Sequence, residues 1–227
     1  MCGRFSFFIE TSTAEERFEA TAVRPLSPRY NIAPSNDIPT ITNETSESID
    51  QQRWGLLPHW VDEPDGSPQP INARAESIDT KPYFRDAFEK RRCLVLADGF
   101  YEWKADGRYK TPYRITIDGG EPFAMAGVWE TWGENGSEKQ TVAIVTTEAN
   151  DVVGEIHDRM PVIFERNEER RWIDEEDPDE RKALLDPIAA GVTDAYEIST
   201  RVNNPAHDDP AAIERIGGEQ SGLGEFT

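Results

Sequence analysis

Cys2 follows the first methionine directly, and removal of Met1 would make it an N-terminal cysteine with both an α-amine and a thiol. An α-amine has a pKa of about 7.7–8.0, so a sizeable fraction of it is neutral near pH 7. A neutral amine attacks a carbonyl to give a Schiff base, and the adjacent thiol can then close a five-membered thiazolidine ring. These two groups are suited to capturing an aldehyde. The alternative is an inert cysteine at the end of the chain.

The stretch INARAES at 71–77 carries polar groups at alternate positions. If it is extended, Asn72, Arg74 and Glu76 project to one face. Asparagine offers both a donor and an acceptor, and arginine offers a planar fork that suits a phosphate. A polar entry to a helix would give the same pattern, and the motif alone leaves both interpretations open.

Two further residues have the chemistry to move protons. Glu102 lies in the aromatic stretch DGFYEW, where apolar neighbours would desolvate it and raise its pKa toward the range used in acid–base catalysis. His157, one of three histidines, lies in HDRMP at a predicted helix-to-strand junction, and histidine exchanges protons near neutrality. The alternatives are a surface glutamate on an alternating strand and a structural loop histidine.

Several arginines and aromatic residues accompany these motifs. Arg4, Arg74 and Arg159 flank the candidate catalytic residues, and Trp54 and Trp60 lie in loop-rich segments. Proteins that bind single-stranded nucleic acids combine basic grooves with aromatic side chains on which bases stack. For most of the six tryptophans, packing in the core remains the favoured role.

Strands dominate the elements that would position these residues. Strand patterns fall at 4–9, 38–42, 50–54, 93–103 (interrupted at Asp98–Gly99), 113–117, 123–132, 141–147 and 196–202. Helical patterns fall at 11–22, 83–88, 150–156 and within 165–190. Loops are expected at 29–37 and 55–70, and tight turns at 118–120 and 134–136. The fold class is therefore α+β, mostly antiparallel, as one domain over 1–216 with a disordered tail at 217–227.

The chain has 227 residues, 44 acidic and 24 basic side chains and a net charge of −20, and only six of the basic residues are lysines. This composition is typical of halophilic proteins, and we expect a halophilic archaeon as the source. An ordinary acidic, soluble protein is the alternative. Acidity disfavours nucleic acids as partners, because phosphates are repelled. At about 1 M salt the Debye length is roughly 3 Å, so only the face that meets the ligand then matters.

Targeting and cofactor signals are missing from the sequence. It shows no signal peptide and no run of about 18 apolar residues, so we expect a soluble, cytoplasmic protein without a membrane partner. Cys2 and Cys93 are far apart and outside any C-x-x-C pair, which argues against a disulfide framework and against structural zinc. We therefore expect no metal and no other cofactor.

Seven motifs in fixed order are more specific than any one residue. They are MCGRF at 1–5, RYNIAP at 29–34, WGLLPHW at 54–60, INARAE at 71–76, RCLVLADGFYEW at 92–103, AGVWE at 126–130 and HDRMP at 157–161. Together they closely resemble the SOS-response-associated peptidase (SRAP) family of abasic-site-processing proteins, over about residues 2–213. One departure is Leu96, where the family usually shows proline, and this leaves the site untouched.

The resemblance implies a β-barrel-like core with a positively charged DNA cleft, peripheral helices and a monomer that captures abasic sites in single-stranded DNA covalently. It implies Cys2 as the nucleophile, with Asn72, Glu102 and His157 in the active site. The expected DNA contacts are Arg4, Asn31, Pro34, Trp54, Arg74, Arg159 and Met160. The chemistry is lyase-like Schiff-base formation in a DNA damage response.

Two rival functions remain open on the sequence. One is a thiol peptidase, a hydrolase that acts on its own N-terminus or on other proteins, as the family name suggests. The other is a non-covalent reader of modified bases, which would bind DNA without an abasic site equally well and would tolerate substitution of Cys2.

Overall fold

A computed structural model describes residues 2–63, 65–133 and 138–216. In chain order, the strands of this part are β1 (Phe5–Phe7), β2 (Thr21–Ala22), β3 (Arg29–Ile32), β4 (Asp37–Thr42), β5 (Ser48–Trp54), β6 (Asn72–Arg74), β7 (Arg92–Ala97), β8 (Gly99–Asp106), β9 (Tyr109–Ile117), β10 (Phe123–Trp132), β11 (Lys139–Glu148), β12 (Arg159–Pro161) and β13 (Thr193–Glu197). The helices are α1 (Thr11–Phe18), α2 (Arg85–Lys90), α3 (Asp151–Gly154), α4 (Arg166–Asp174) and α5 (Pro178–Ala183).

Five strands close into a barrel. β11, β10, β7, β4 and β5 pair in that order as antiparallel neighbours, and β5 returns to β11 as a parallel neighbour. β7 is buried along its whole length, which explains why its sequence RCLVLA does not alternate. Gly127 is required at the β10–β7 contact, since a Cβ there would lie 2.7 Å from Sγ of Cys93.

A second sheet packs against this barrel, with the antiparallel strand order β13, β9, β8, β1 and β3. The two layers meet where the rings of Phe5 and Trp54 pack edge to face, with centroids 5.3 Å apart. The predicted α+β class, with a mostly antiparallel, barrel-like core and peripheral helices, is confirmed.

Four local predictions need correction. Residues 29–32 form strand β3 instead of a loop, because they pair with β1. Helix α1 ends at Phe18, where Glu19 takes a left-handed conformation. The acidic segment 165–190 divides into α4 and α5, the second capped by the Asp177 side chain. The last strand ends at Glu197, and residues Thr200–Asn203 form a 3₁₀ turn.

Met1, the predicted turn at 134–136 and the predicted tail at 217–227 lie outside the described residues. The single domain over 1–216 stays a prediction. Within the described part of the chain, no helix combines the length and apolar character needed to cross a membrane.

Candidate active site

The pairing of β1 with β8 positions Cys2. Phe5 pairs with Phe100, and the backbone N–H of Tyr101 donates to the carbonyl of Arg4 at 3.0 Å. Continuing this antiparallel register by one or two residues brings the N-terminal end of the chain level with Glu102 on β8. Cys2 is fully buried there and belongs to the main hydrophobic core.

The Cys2 thiol is neutral in this environment. Burial raises its pKa well above the usual range, and the negative charge of Glu102 raises it further. The backbone N–H of Arg4 opposes this rise only in part. The thiol must therefore give up its proton to a nearby base before its sulfur can attack, since the thiolate is the nucleophile.

Glu102 can serve as that base. Its side chain is 3% exposed, and burial raises its pKa from 4.5 to about 7. At neutral pH the carboxyl group is thus present in both protonation states, which suits a group that both donates and accepts protons. The aromatic flanks in the sequence correctly indicated this desolvation.

Glu102 and His157 line one pocket of about 490 Å³. The backbone N–H of Arg159 donates to Nδ1 of His157 at 3.0 Å, so the neutral ring carries its proton on Nε2. Burial lowers the pKa of His157, which favours this neutral ring. Asp158 Oδ1 also lies 3.0 Å from Nδ1, but the Asp158 side chain is 87% exposed, so water screens its charge.

Asn72 is held at the start of β6, which pairs in parallel with β11 at Ile144. Both polar atoms of its side-chain amide are buried, and neither has a hydrogen-bond partner among the described residues. A buried polar group without a partner costs roughly 1–3 kcal/mol. Such a cost is tolerated where a ligand or a reacting group completes the hydrogen bonds. The extended conformation predicted for 71–77 is thus confirmed only for Asn72–Arg74, because Ala75–Ser77, with Glu76, form a 3₁₀ helix.

The arginines near Asn72 differ in their availability. Arg159 is nearly buried and forms a two-pronged ion pair with Glu76, and its NH2 donates to the carbonyl of Thr146 at 2.6 Å. The hydrogen bond from Arg159 lowers the pKa of Glu76. Arg74 is exposed and lines a pocket of about 420 Å³ beside Asp158 and Arg159. Arg74 is therefore the more accessible of these two guanidinium groups.

Arg4 and Asn31 hold a C-terminal segment. NH1 of Arg4 donates to Oδ1 of Asn31 at 2.7 Å and to the carbonyl of Val202 at 2.8 Å. Asn31 is fully buried, and its Nδ2 donates to the carbonyls of Val202, Asn204 and His207. These bonds fix residues 202–207 against β1 and β3, and Pro34 is exposed beside them.

Trp54 and Met160, which we expected to contact DNA, lie inside the protein. Trp54 is 1% exposed, packs against Phe5 and donates its indole N–H to the carbonyl of Ile71 at 2.9 Å. Met160 is fully buried on β12. Enclosed side chains of this kind have no face on which a base could stack, so the structure assigns both to packing.

The sequence analysis missed three residues that line the pocket with Glu102 and His157. They are Trp103, Lys110 and Asn203. Trp103 had a signal, since it follows Glu102 directly, and its indole N–H donates to Oδ1 of Asn203 at 2.7 Å. The β8–β9 hairpin places Lys110 at the pocket. The hydrogen bonds from Arg4 and Asn31 to residues 202–204 place Asn203 there.

The fold and the pocket define a class of protein: a barrel domain with a buried cysteine at the second position, beside a carboxyl group that titrates near neutrality. The chain belongs to the SOS response associated peptidase (SRAP) family, whose model matches residues 1–205. The family resemblance seen in the seven motifs is thereby confirmed.

Curated relatives cover most of the chain. It is 40% identical over 222 residues to the abasic site processing protein YoqW of Bacillus subtilis (strain 168), covering 94% of this chain and 99% of the relative. It is 33% identical to the abasic site processing protein YedK of Escherichia coli (strain K12), covering 78% and 81%. It is 30% identical to the abasic site processing protein HMCES of Xenopus tropicalis, covering 83% and 66%.

Solved structures share the fold. A crystal structure of a protein from Bacteroides thetaiotaomicron matches with a TM-score of 0.87 at 29% identity, over 94% of this chain and 99% of that one. A phage-related protein from Bordetella bronchiseptica matches with a TM-score of 0.71 at 29% identity, over 87% and 94%.

Proposed function

We propose that this protein captures abasic sites in single-stranded DNA through its N-terminal cysteine and shields the lesion from strand cleavage as a thiazolidine crosslink. Its relatives carry the name abasic site processing protein, which gives the substrate class. The open form of an abasic deoxyribose exposes an aldehyde at C1′. An N-terminal aminothiol is a selective trap for that group, and nearly all other DNA lacks it.

The observation that carries this proposal is the buried pair of Cys2 and Glu102. A thiol whose pKa is raised by burial needs a base beside it, and Glu102 has a pKa of about 7. One carboxyl group can therefore give a proton in one step and take a proton in a later step.

The first steps use the amine and His157. After Met1 is removed, His157 assists the opening of the sugar ring by proton transfer through Nε2, since its Nδ1 accepts the backbone N–H of Arg159. The neutral α-amine of Cys2 then adds to C1′ to form a carbinolamine. Arg74 holds a flanking phosphate, and the Asn72 amide, which has no partner among the described residues, binds the α-amine that removal of Met1 exposes on Cys2.

The last steps use Glu102 twice. Its protonated form donates to the carbinolamine hydroxyl, which leaves as water and gives the Schiff base. The resulting carboxylate takes the proton of the Cys2 thiol, and the sulfur adds to C1′ to close the ring. In total, one aldehyde and one aminothiol react to give one thiazolidine and one water. Glu102 gives one proton and takes one back, so it ends protonated as it began.

The test mixes protein that lacks Met1 with single-stranded DNA holding one abasic site, followed by denaturing electrophoresis. We expect a denaturation-resistant adduct, and none with DNA that lacks the abasic site. Cys2→Ala keeps an α-amine, so it should give an adduct only when borohydride reduces the Schiff base. The matched control is Cys93→Ala, which changes the other buried cysteine and should crosslink normally. A stable adduct from Cys2→Ala without reductant would refute the mechanism.

N-terminal processing is the peptidase activity that fits this site. The Cys2 thiol is fully buried, so the peptide bonds of other proteins do not reach it, whereas the Met1–Cys2 bond adjoins it in the chain. We therefore propose that any hydrolase activity is limited to the bond between Met1 and Cys2, whose cleavage exposes the reactive amine. Mass spectrometry of the intact protein, before and after incubation with abasic DNA, measures Met1 removal and the mass of the adduct together. Turnover of a general peptide substrate would contradict this limit.

A further inference from the structure

The hairpin of β8 and β9 extends from the pocket into solvent. Its outer part, residues 104–110, is exposed at every position, and we call it the hairpin arm. The ring of Tyr109 is 80% exposed, more than any other large hydrophobic side chain in the described part of the chain. An aromatic ring this exposed presents a face on which a nucleobase can stack.

The arm is basic, although the protein is strongly acidic. It holds Lys104, Arg108 and Lys110 against a single acid, Asp106, which gives a local net charge of +2 within a chain of net charge −20. Two of the six lysines of the whole chain fall in these seven residues. A phosphate backbone that the rest of the surface repels would therefore be attracted here.

Each face of the arm continues a face of the hairpin that carries a residue of the pocket. Ala105 pairs with Lys110 and Asp106 pairs with Tyr109, so Lys110 shares a face with Trp103, and Tyr109 shares a face with Glu102. Tyr109 lies four residues along the strand from Glu102, which is about 13 Å at the usual rise. Lys110 also lines the pocket directly, together with Glu102 and His157.

We propose that the hairpin arm binds the single-stranded DNA that flanks the abasic site, with Lys110 on the phosphate nearest the pocket and Tyr109 stacked on a base further out. Lys104, opposite Thr111, and Arg108, at the tip of the hairpin, contact phosphates on either side of Tyr109. Alternating cations and an aromatic ring are the elements by which proteins follow single strands without reading sequence. This inference rests on the proposed function, because it assigns the path of the same DNA.

The experiment measures non-covalent binding, so that capture itself does not enter. The probe is single-stranded DNA with a tetrahydrofuran abasic analogue, which has no aldehyde, carrying either one nucleotide on each side or six on one side. We expect wild-type protein to bind the long probe more tightly, with the gain on one side of the lesion. Because base stacking is worth about 1–3 kcal/mol, Tyr109→Ala should reduce that gain by about fivefold or more.

Three comparisons make the result specific. Tyr109→Phe keeps the ring and should keep the gain, and Lys90→Ala removes an exposed lysine away from the arm and should behave as wild type. Lys110→Ala and Arg108→Ala should lose less affinity at about 1 M salt than at low salt, whereas the Tyr109→Ala loss should persist. Thermal unfolding checks that each variant is folded.

Two outcomes would overturn the proposal. One is that the longer flank raises the affinity equally on either side of the lesion, and equally in wild type and Tyr109→Ala. The other is that Tyr109→Ala lowers the affinity for the short and the long probe by the same factor. Failure of the proposed function is seen separately, as the absence of a crosslink between wild-type protein and a short oligonucleotide with a true abasic site.

Discussion

Nδ1 of His157 accepts a hydrogen bond from the backbone N–H of Arg159 at 3.0 Å. This bond is local, within the turn that leads into β12, and it fixes the orientation of the ring before any substrate arrives. The proton of the neutral ring must then lie on Nε2. Because burial also lowers the pKa of His157, the ring is neutral at pH 7 and its Nε2–H is a donor.

We predict that His157→Ala slows crosslinking of abasic DNA by about 10²-fold, because ring opening loses its proton donor. A linear aldehyde has no ring to open, so its reaction with the same variant should slow much less. Rapid-quench electrophoresis measures the first rate, and mass spectrometry of the adduct measures the second. Equal slowing of both reactions would assign His157 to a different step.

The protonation state of His157 is open to direct observation. Long-range ¹H–¹⁵N spectra of specifically labelled protein should show the proton on Nε2 and a titration midpoint below the usual value for histidine, since burial disfavours the charged ring. His207, whose Nδ1 lies 3.1 Å from the carbonyl of Arg201, serves as an internal comparison. A proton on Nδ1 would mean that the Arg159 bond does not form in solution.

Glu102→Gln should lower the crosslinking rate by about 10²–10⁴-fold at pH 7, because glutamine can neither give nor take a proton. The wild-type reaction needs both the protonated and the deprotonated form of Glu102. A plot of the crosslinking rate against pH should therefore change slope near pH 7, where the pKa of Glu102 lies (the bend of the profile). The variant should lack this bend. The matched control is Glu121→Gln, an exposed carboxyl group on another part of the surface, which should keep both the rate and the bend.

The same residue predicts a change in stability with a definite sign. Burial raises the pKa of Glu102 from 4.5 to about 7, so folding favours the protonated form. The stabilisation that this provides is complete below pH 4.5 and is lost as the pH rises through about 7. Glu102→Gln, which is always neutral, should therefore stabilise the protein by up to roughly 3 kcal/mol at pH 9 relative to pH 5. Chemical unfolding at the two pH values measures this difference, and a variant that is less stable at pH 9 would reverse the sign.

The parts of the fold that the sequence predicted are those set by local pattern. The apolar runs at 92–97 and 123–132 mark strands buried on both faces, and the aromatic flanks of Glu102 indicate its desolvation. Strand β3 could not be predicted, because the polar groups of Arg29 and Asn31 are satisfied by Asp208, far along the chain.

Contacts between residues far apart in the chain also determine the lining of the pocket, and these could not be predicted from the sequence. Lys110 and Asn203 reach Glu102 through a hairpin and through a C-terminal segment, and neither contact leaves a pattern in the sequence. Trp54 shows a related limit. The family resemblance implied that it contacts DNA, but its indole N–H donates to the carbonyl of Ile71, which permits complete burial.

The last prediction concerns the carboxylate that joins β1 to β8. Asp98 is 1% exposed, accepts from Oγ of Ser6 and from the backbone N–H of Phe8, each at 2.6 Å, and pairs with Arg114 at 3.1 Å. These contacts hold β1 beside β8, and thereby Cys2 beside Glu102. Breaking a buried pair by removing one partner leaves an uncompensated charge, so Asp98→Ala should lower the free energy of unfolding by about 3–5 kcal/mol.

Two further variants calibrate this loss. Ser6→Ala removes a single buried hydrogen bond and should cost about 1–3 kcal/mol. Asp194→Ala removes the acid of an exposed pair with Arg215 and should cost no more than about 1 kcal/mol, since surface pairs are screened by water. Urea unfolding gives the three values in one experiment. If Asp98→Ala cost no more than Asp194→Ala, the β1–β8 register would have to be fixed by the core packing of Phe5 and Phe100 alone.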